Sequence, residues 1–446
     1  MSIDHFKKKF SINKNKVALI YDNKKYLYKD LIDSIKNHEE SDLFRDCSKG
    51  DIIAIESDYN LTSISLIFFL ISRFCIIVPI YDKKKHEKDE ILSIVEAKKI
   101  ICIDNQEKIS IQNFNRNNKN NLIENLRKNS NPGLILFSSG SSGYPKAAVH
   151  NFNNLLSKFT IPRPVFVTIN FLLFDHWGGL NTMLHVLSNG GSLVLLKKRT
   201  PEYIANLIEK NSVQLLPVSP TFLNLLILSN VHKKYNFSSL KIISYGTEAM
   251  PETTLIKLKD IFPNVKLQQT YGLIEVGVLR SKSKDNGSLW FKIGGEGYDI
   301  RIKDEMLEIK SKSVMLGYLN AQSPFSNDGW YITGDKVIEK DGFIKILGRA
   351  SEVINVGGEK VYPQEIENEI LKMDNVQDVT IFSEKNALIG NLICAEISLK
   401  VIEDRNTFKK KMTEFLKDKI SSYKIPIKII ITKDIHHNAR FKKKRL

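Results

Sequence analysis

Apolar residues in the first hundred positions fall into short runs separated by helical patterns. The segments KVALIYD (16–22), DIIAIES (51–57), CIIVPIY (75–81) and KKIICID (98–104) are rich in β-branched residues and bounded by charge or turn residues, which predicts buried strands. Between them, helices are predicted from about Lys29, across the apolar stretch after Leu61, and near Ile91. Strands alternating with helices predict an α/β fold with a largely parallel sheet. The run Leu61 to Ile80 approaches the length of a membrane span, but Arg73 lies inside it and Ser and Thr recur along it. It predicts a buried helix followed by a strand, with no membrane span.

Residues 105–132 are dense in Asn and Lys with little apolar period, and read as an exposed connector before a strand at Leu134 to Phe137. A second polar break surrounds Gly348-Arg349-Ala350-Ser351. Beyond it come a helix near Pro363, strands DVTIFS (378–383) and NLICAEISL (391–399), a helix over 406–421 and a last strand KIIIT (428–432). This predicts a large N-terminal domain, 1–349, of parallel-rich sheets with helices, followed by a small mobile α+β domain, 350–446. No repeat at a fixed period is present.

At 446 residues the chain is long enough for more than one core. Lys and Arg total 66 against 50 Asp and Glu, a net charge of +16. Lysines are spread evenly along the sequence, which reads as solvated basic faces, and no nucleic-acid partner is inferred. Cys47, Cys75, Cys102 and Cys394 form no CxxC pair, so neither a zinc site nor a disulfide framework is indicated. A reducing cytoplasmic setting is expected, since MSIDHFKKKF has no apolar run after its charges.

The segment LILFSSGSSGYPKAAVHN (134–151) carries the chemistry: a buried strand runs into Ser138, Ser139, Gly140, Ser141, Ser142 and Gly143, then Pro145-Lys146. Glycines let backbone N–H groups approach an anion closely, hydroxyls add donors, and the lysine supplies charge, so the loop suits phosphates. It is not a Walker A loop, because Pro145 and Ala147 flank the lysine where that motif needs Gly and a hydroxyl residue.

SSGSSGYPK resembles the signature phosphate loop of the adenylate-forming (AMP-binding) superfamily, which includes acyl-CoA synthetases, aryl-CoA ligases, nonribosomal adenylation domains and luciferases. Further segments resemble that family's motifs in order: FDHWGGLNTMLHVLSNGGSLVL (174–195), SYGTEAMP (244–251), QTYGLIEVG (269–277), GWYITGDKV (329–337) and GRASEVINVGGEKVYPQEIENEI (348–370). The resemblance spans nearly the whole chain.

It implies an acid–thiol ligase that makes an acyl-adenylate from a carboxylic acid, ATP and Mg²⁺ and passes the acyl group to coenzyme A or a phosphopantetheinyl acyl carrier protein. Lys146 and the Ser/Gly loop would cradle phosphates, and Glu275 would bind magnesium. Asp335, in the turn sequence TGD, would receive the ribose hydroxyls, with Arg349 either adding charge beside them or forming a surface ion pair. Gly246 and Tyr271 would neighbour adenine, although core packing also explains Tyr271. His176 would line the carboxylate pocket or be a packed residue. Gly357 and Gly358 would face the incoming thiol after the C-terminal domain rotates, or make a simple tight turn.

Three positions depart from the pattern. Ile274 replaces a hydroxyl residue before Glu275, Ser351 stands at the hinge, and the terminal IHHNARFKKKRL has Phe441 where glycine is usual. In that register Lys442 is the catalytic lysine and Arg445 follows three residues later; a shifted register puts Arg440 there. The alternatives to a thiol ligase are an adenylating enzyme that loads a carrier or an amine, and a nucleotide-binding homologue without turnover. The acid is not readable from the sequence.

Overall fold

A computed structural model describes residues 2–139, 144–386 and 390–432. Two seven-stranded sheets form most of the N-terminal part. The first runs Lys266–Gln269, Ile242–Tyr245, Leu215–Val218, Val167–Ile169, Ser192–Val194, Val17–Tyr21 and Lys24–Leu27, parallel except for the last pairing. The second runs Gly317–Tyr318, Pro145–Asn151, Gly133–Ser139, Ile76–Ile80, Ile52–Glu56, Lys99–Ile103 and Ile109–Asn113. Its four central strands are parallel and its flanks antiparallel.

One core serves both sheets. Ala18, Leu19 and Leu193 of the first and Ile53, Ile77, Leu134 and Leu136 of the second share it with Phe6, Leu31, Phe68 and Trp177 from the helices. The helix Leu61–Ser72 is the most apolar of these. Asn60 caps it by accepting from the Ser63 N–H at 2.7 Å, and Ile64 to Ile71 are at most 2% exposed. Burial on that scale, about 1.5–3 kcal/mol per large apolar side chain, explains the run without a membrane. Arg73 falls at the helix C-cap, where its Nε donates to the Cys47 carbonyl. Among the described residues no helix is long and apolar enough to cross a membrane.

The stretch 105–132 is not a bare connector. It holds the edge strand Ile109–Asn113 and the helix Asn121–Lys128, whose Ile123 and Leu126 are fully buried. Two apolar residues three apart, with Asn120 capping the first turn, suffice to fix that short helix where composition alone suggests a loop.

A third sheet is antiparallel: Ser281–Ser283, Phe291–Ile293, Phe343–Arg349, Tyr331–Lys340, Met306–Ser311 and Tyr298–Lys303. After it, a core drawn only from Ile354 onward joins the helices Pro363–Ile370 and Arg405–Leu416 to the strands Val376–Asn386, Gly390–Leu399 and Lys428–Thr432. This is the small α+β domain. Its second helix begins at Arg405 because Asp404 caps it.

Candidate active site

Strands of the first sheet end together, and the residues just past their carboxyl ends build one side of the site, as is usual for open α/β sheets. Gly246 follows Tyr245, and Thr270-Tyr271 follow Gln269 on the adjacent strand. A Cβ at Gly246 would sit 2.4 Å from Thr270 Oγ1 and 2.8 Å from the Thr270 carbonyl, so only glycine allows the two strand ends to close up. Gly246 and Tyr271 are thus neighbours.

Tyr271 is 5% exposed and packs in the core beside Phe291, at 6.5 Å between ring centroids. Its hydroxyl donates to Asp335 Oδ2 at 2.5 Å. Arg349 Nε binds the other oxygen, Oδ1, at 2.7 Å, and Arg349 Nη1 donates to the Thr333 carbonyl at 2.9 Å. Asp335 and Arg349 are direct cross-strand partners, which fixes the pair. Burial raises the Asp335 pKa above its usual value, and the Arg349 guanidinium and the Tyr271 hydroxyl oppose that rise. TGD therefore does not make a turn. Asp335 lies inside the strand Tyr331–Lys340, with Gly334 at φ +77° and a register shift just after it, so the sequence signal for a turn reflects a bulge.

Glu275 lies in the turn between the short strands Tyr271–Leu273 and Gly277–Leu279 and is 7% exposed. Its backbone carbonyl accepts from the Met315 N–H, and its side-chain Oε1 accepts from the Tyr318 hydroxyl at 2.7 Å. Burial and the nearby Glu275 carboxylate push the Tyr318 phenol far above its ordinary pKa, so it stays a proton donor. Ile274 packs against two apolar cores. Among the described residues no group of three His, Cys, Asp or Glu could hold a metal. A single buried carboxylate still fits magnesium, which habitually takes one or two protein oxygens and completes its shell with phosphates and water.

Lys146 is not at the end of a loop but in a strand. Gly133–Ser139 and Pro145–Asn151 form an antiparallel hairpin with Ser138 opposite Lys146. Lys146 Nζ lies 5.8 Å from the centre of the Tyr318 ring. Gly140, Ser141, Ser142 and Gly143 lie outside the described residues, as do Arg440, Phe441, Lys442 and Arg445; of Ser139 only its backbone place in the strand is described.

His176 caps the helix Trp177–Asn189, its Nδ1 accepting the Gly178 N–H at 3.0 Å. That assigns the ring proton to Nε2. A Cβ at Gly179 would lie 2.5 Å from the carbonyl oxygens of Leu172 and Leu173, so the glycine lets this helix press against the preceding segment. Behind it, Lys158 Nζ donates to Asn181 Oδ1 at 2.6 Å and to the Val278 carbonyl at 2.8 Å, and His150 stacks on Trp177.

Gly357 and Gly358, at φ +58° and +94°, form the two-residue turn of the hairpin Ile354–Val356 and Glu359–Val361. A Cβ on either would meet nothing within 4 Å, so the backbone angle, not crowding, demands glycine. Beside the turn is a mostly apolar hollow of about 280 Å³ lined by Val356, Gly357, Leu392 and Tyr423 among others. Ser351 is exposed in the 3₁₀ turn Ala350–Glu352.

The structure brings Gly246, Tyr271, Asp335 and Arg349 together, and joins Lys146 to Glu275 through Tyr318. Sequence reasoning missed Tyr318, Asn320 and Thr333; the signal available was GYLN at 317–320, whose aromatic and amide residues follow an apolar strand pattern.

The family model of AMP-binding enzymes matches residues 59–319. Acyl-CoA synthetase 7 of Caenorhabditis elegans is 29% identical over 325 residues, 65% of this chain and 60% of the relative. A vibriobactin-specific 2,3-dihydroxybenzoate-AMP ligase of Vibrio cholerae is 27% identical over 342 residues, 68% of this chain and 61% of the relative. The chain thus spans about three-fifths of the length of these curated relatives. Among solved structures, the anthranilate CoA ligase AuaEII in complex with anthranoyl-AMP superposes with a TM-score of 0.84 at 18% identity, covering 99% of this chain and 95% of that one. ATP-bound MatB from Rhodopseudomonas palustris superposes with a TM-score of 0.82 at 21% identity, covering 99% and 97%. With the shared fold, the ordered motifs and a family match across more than half its length, the chain belongs to the AMP-binding, adenylate-forming enzyme family.

Proposed function

We propose that the protein activates a carboxylic acid with ATP, forming an acyl-adenylate and pyrophosphate, and then transfers the acyl group to a thiol such as that of coenzyme A. The observation that carries this reading is the buried Asp335, gripped by Tyr271 and Arg349, with Glu275 and Lys146 tied to one tyrosine. Three segments far apart in sequence converge on groups suited to a ribose, a polyphosphate and a hard cation.

A carboxylate oxygen attacks the α-phosphorus, the bond to the bridging oxygen breaks, and pyrophosphate leaves. Asp335 would accept from the ribose hydroxyls while Arg349 holds it in place. Gly246 would give adenine close backbone beside Tyr271. Lys146, with Ser138, Ser139 and the Ser/Gly loop, would bind the leaving phosphates, and Glu275 would hold magnesium. Magnesium, when bound, supplies charge neutralisation at the leaving group. His176 would stand at the carboxylate pocket, its ring oriented by the bond that Nδ1 accepts from the Gly178 N–H at the start of the helix.

In this reading the N-terminal domain ends at Arg349 and the C-terminal domain turns about the segment beginning at Ala350. That motion would bring Lys442 to the α-phosphate for the first step and the Gly357-Gly358 turn to the thiol for the second. Related ligases act on both acyl and aryl acids, so the acid class is a matter for experiment. ATP–pyrophosphate exchange over fatty, aryl, hydroxy and amino acids is the test. Exchange with one class would establish adenylation and name the substrate. ATP binding without exchange across a broad panel would instead favour a non-catalytic homologue, a reading that the apolar packing of Ile274 supports.

A further inference from the structure

The strand Gly317–Tyr318 and the two residues that follow it touch both halves of the proposed phosphate site. Asn320 Oδ1 accepts from the Ala147 N–H at 2.9 Å, and Asn320 Nδ2 donates to the Pro145 carbonyl at 2.8 Å. These two bonds bracket Lys146, fixing the peptide on each side of it. The Leu319 N–H adds a third tie, to the Ala147 carbonyl at 3.0 Å.

One residue earlier, Tyr318 pairs with Ala148, two positions on from Lys146, so its side chain shares a sheet face with that lysine. The ring lies near the ammonium group and the hydroxyl donates to Glu275. The Ser138 and Tyr331 hydroxyls are further polar neighbours of the same phenol. With Oε1 of Glu275 held by this bond, the carboxylate cannot rotate freely.

We infer that Tyr318 and Asn320 are positioning residues that set the placement of Lys146 relative to Glu275, so that one strand edge presents both to the triphosphate and its metal. The inference rests on the reading of Lys146 and Glu275 as phosphate and magnesium ligands. A preformed edge of this kind removes the reorganisation that two independently mobile side chains would need on binding.

The test is calorimetric ATP binding by the full chain, with EDTA and with excess magnesium. Tyr318→Phe keeps the ring beside Lys146 and removes only the hydroxyl. ATP affinity in EDTA is expected to stay within about twofold of the parent, while the gain in affinity on adding magnesium falls at least about fivefold. Asn320→Ala is expected to weaken ATP binding about tenfold in both conditions. Thermal melting checks that each variant folds; if Asn320→Ala does not, Tyr318→Phe decides. A full magnesium increment in Tyr318→Phe, or unchanged ATP binding in a folded Asn320→Ala, overturns the inference. Glu275→Gln separates it from the reading beneath: an increment lost there but kept in Tyr318→Phe removes the positioning claim alone. An increment kept in both, or no ATP binding by the parent chain, removes both.

Discussion

Tyr271 donates its phenolic proton to Asp335 across 2.5 Å, although the two residues are 64 positions apart in sequence. The bond leaves Asp335 oriented by a residue that is itself almost wholly buried. Tyr271→Phe is expected to keep the ring's packing and loosen the carboxylate. Loss of one hydrogen bond to a charged group corresponds to about 1.5–3 kcal/mol, so the ATP dissociation constant should rise roughly 10- to 150-fold. Unaltered ATP binding by Tyr271→Phe would show that Asp335 needs no such support.

The opposite register at the C-terminus is separable by two substitutions. Lys442→Ala is expected to lower pyrophosphate exchange on the order of 100-fold, as removal of one transition-state charge contact does elsewhere. Arg440→Ala should leave it nearly intact. The reverse pattern would place the catalytic position at Arg440.

Gly179 carries a stability prediction. Gly179→Ala would set a methyl group 2.5 Å from two backbone carbonyl oxygens, neither of which can move without shifting the segment before His176. Overpacking of this kind costs about 1–3 kcal/mol. The melting temperature should fall, and by more than in Gly357→Ala, where the added methyl meets only a strained backbone angle. Equal melting temperatures would show that the 172–173 segment yields easily.

Three buried bases, His150 and Lys158 against Trp177 and His185 near Lys158, give the protein a pH profile. Burial lowers His150 and His185 to about 4, and burial lowers Lys158 to about 7. Each pKa is depressed in the folded state, so between the folded and unfolded values the unfolded chain binds more protons and stability rises with pH. The histidines act from about pH 4 to 6.5, and Lys158 from about pH 7 to 10.5. The melting temperature of the parent chain relative to Lys158→Met should therefore climb between pH 7 and 9.5. A constant difference would mean that Lys158 titrates near its ordinary range.

Much of the frame was legible because its strands are buried on both faces. Runs such as IIAIE and IIVPI need no partner information to be read as central strands, and Arg73 with the recurring Ser and Thr of the run after Leu61 told against a membrane span. Helix Asn121–Lys128 was hidden by its composition, since only Ile123 and Leu126 carry the burial. Lys146 and Asp335 lie in strands where the sequence suggests a loop and a turn. Pro145 and Gly334 are turn residues by propensity, and sheet pairing overrode both. Tyr318 and Asn320 were illegible for a different reason: their importance lies entirely in partners 43 and 173 residues away.

The hairpin that bears Lys146 also fixes where a change of chain length cannot be absorbed. Leu134, Leu136 and Ser138 share one face with Lys146, Ala148 and His150, while Ile135, Ala147 and Val149 fill the core on the other. Inserting one residue between Lys146 and Val149 would leave the charge exposed only by tearing the sheet, or else turn it inward among isoleucines. Natural and engineered relatives should accordingly hold the number of residues within each strand fixed.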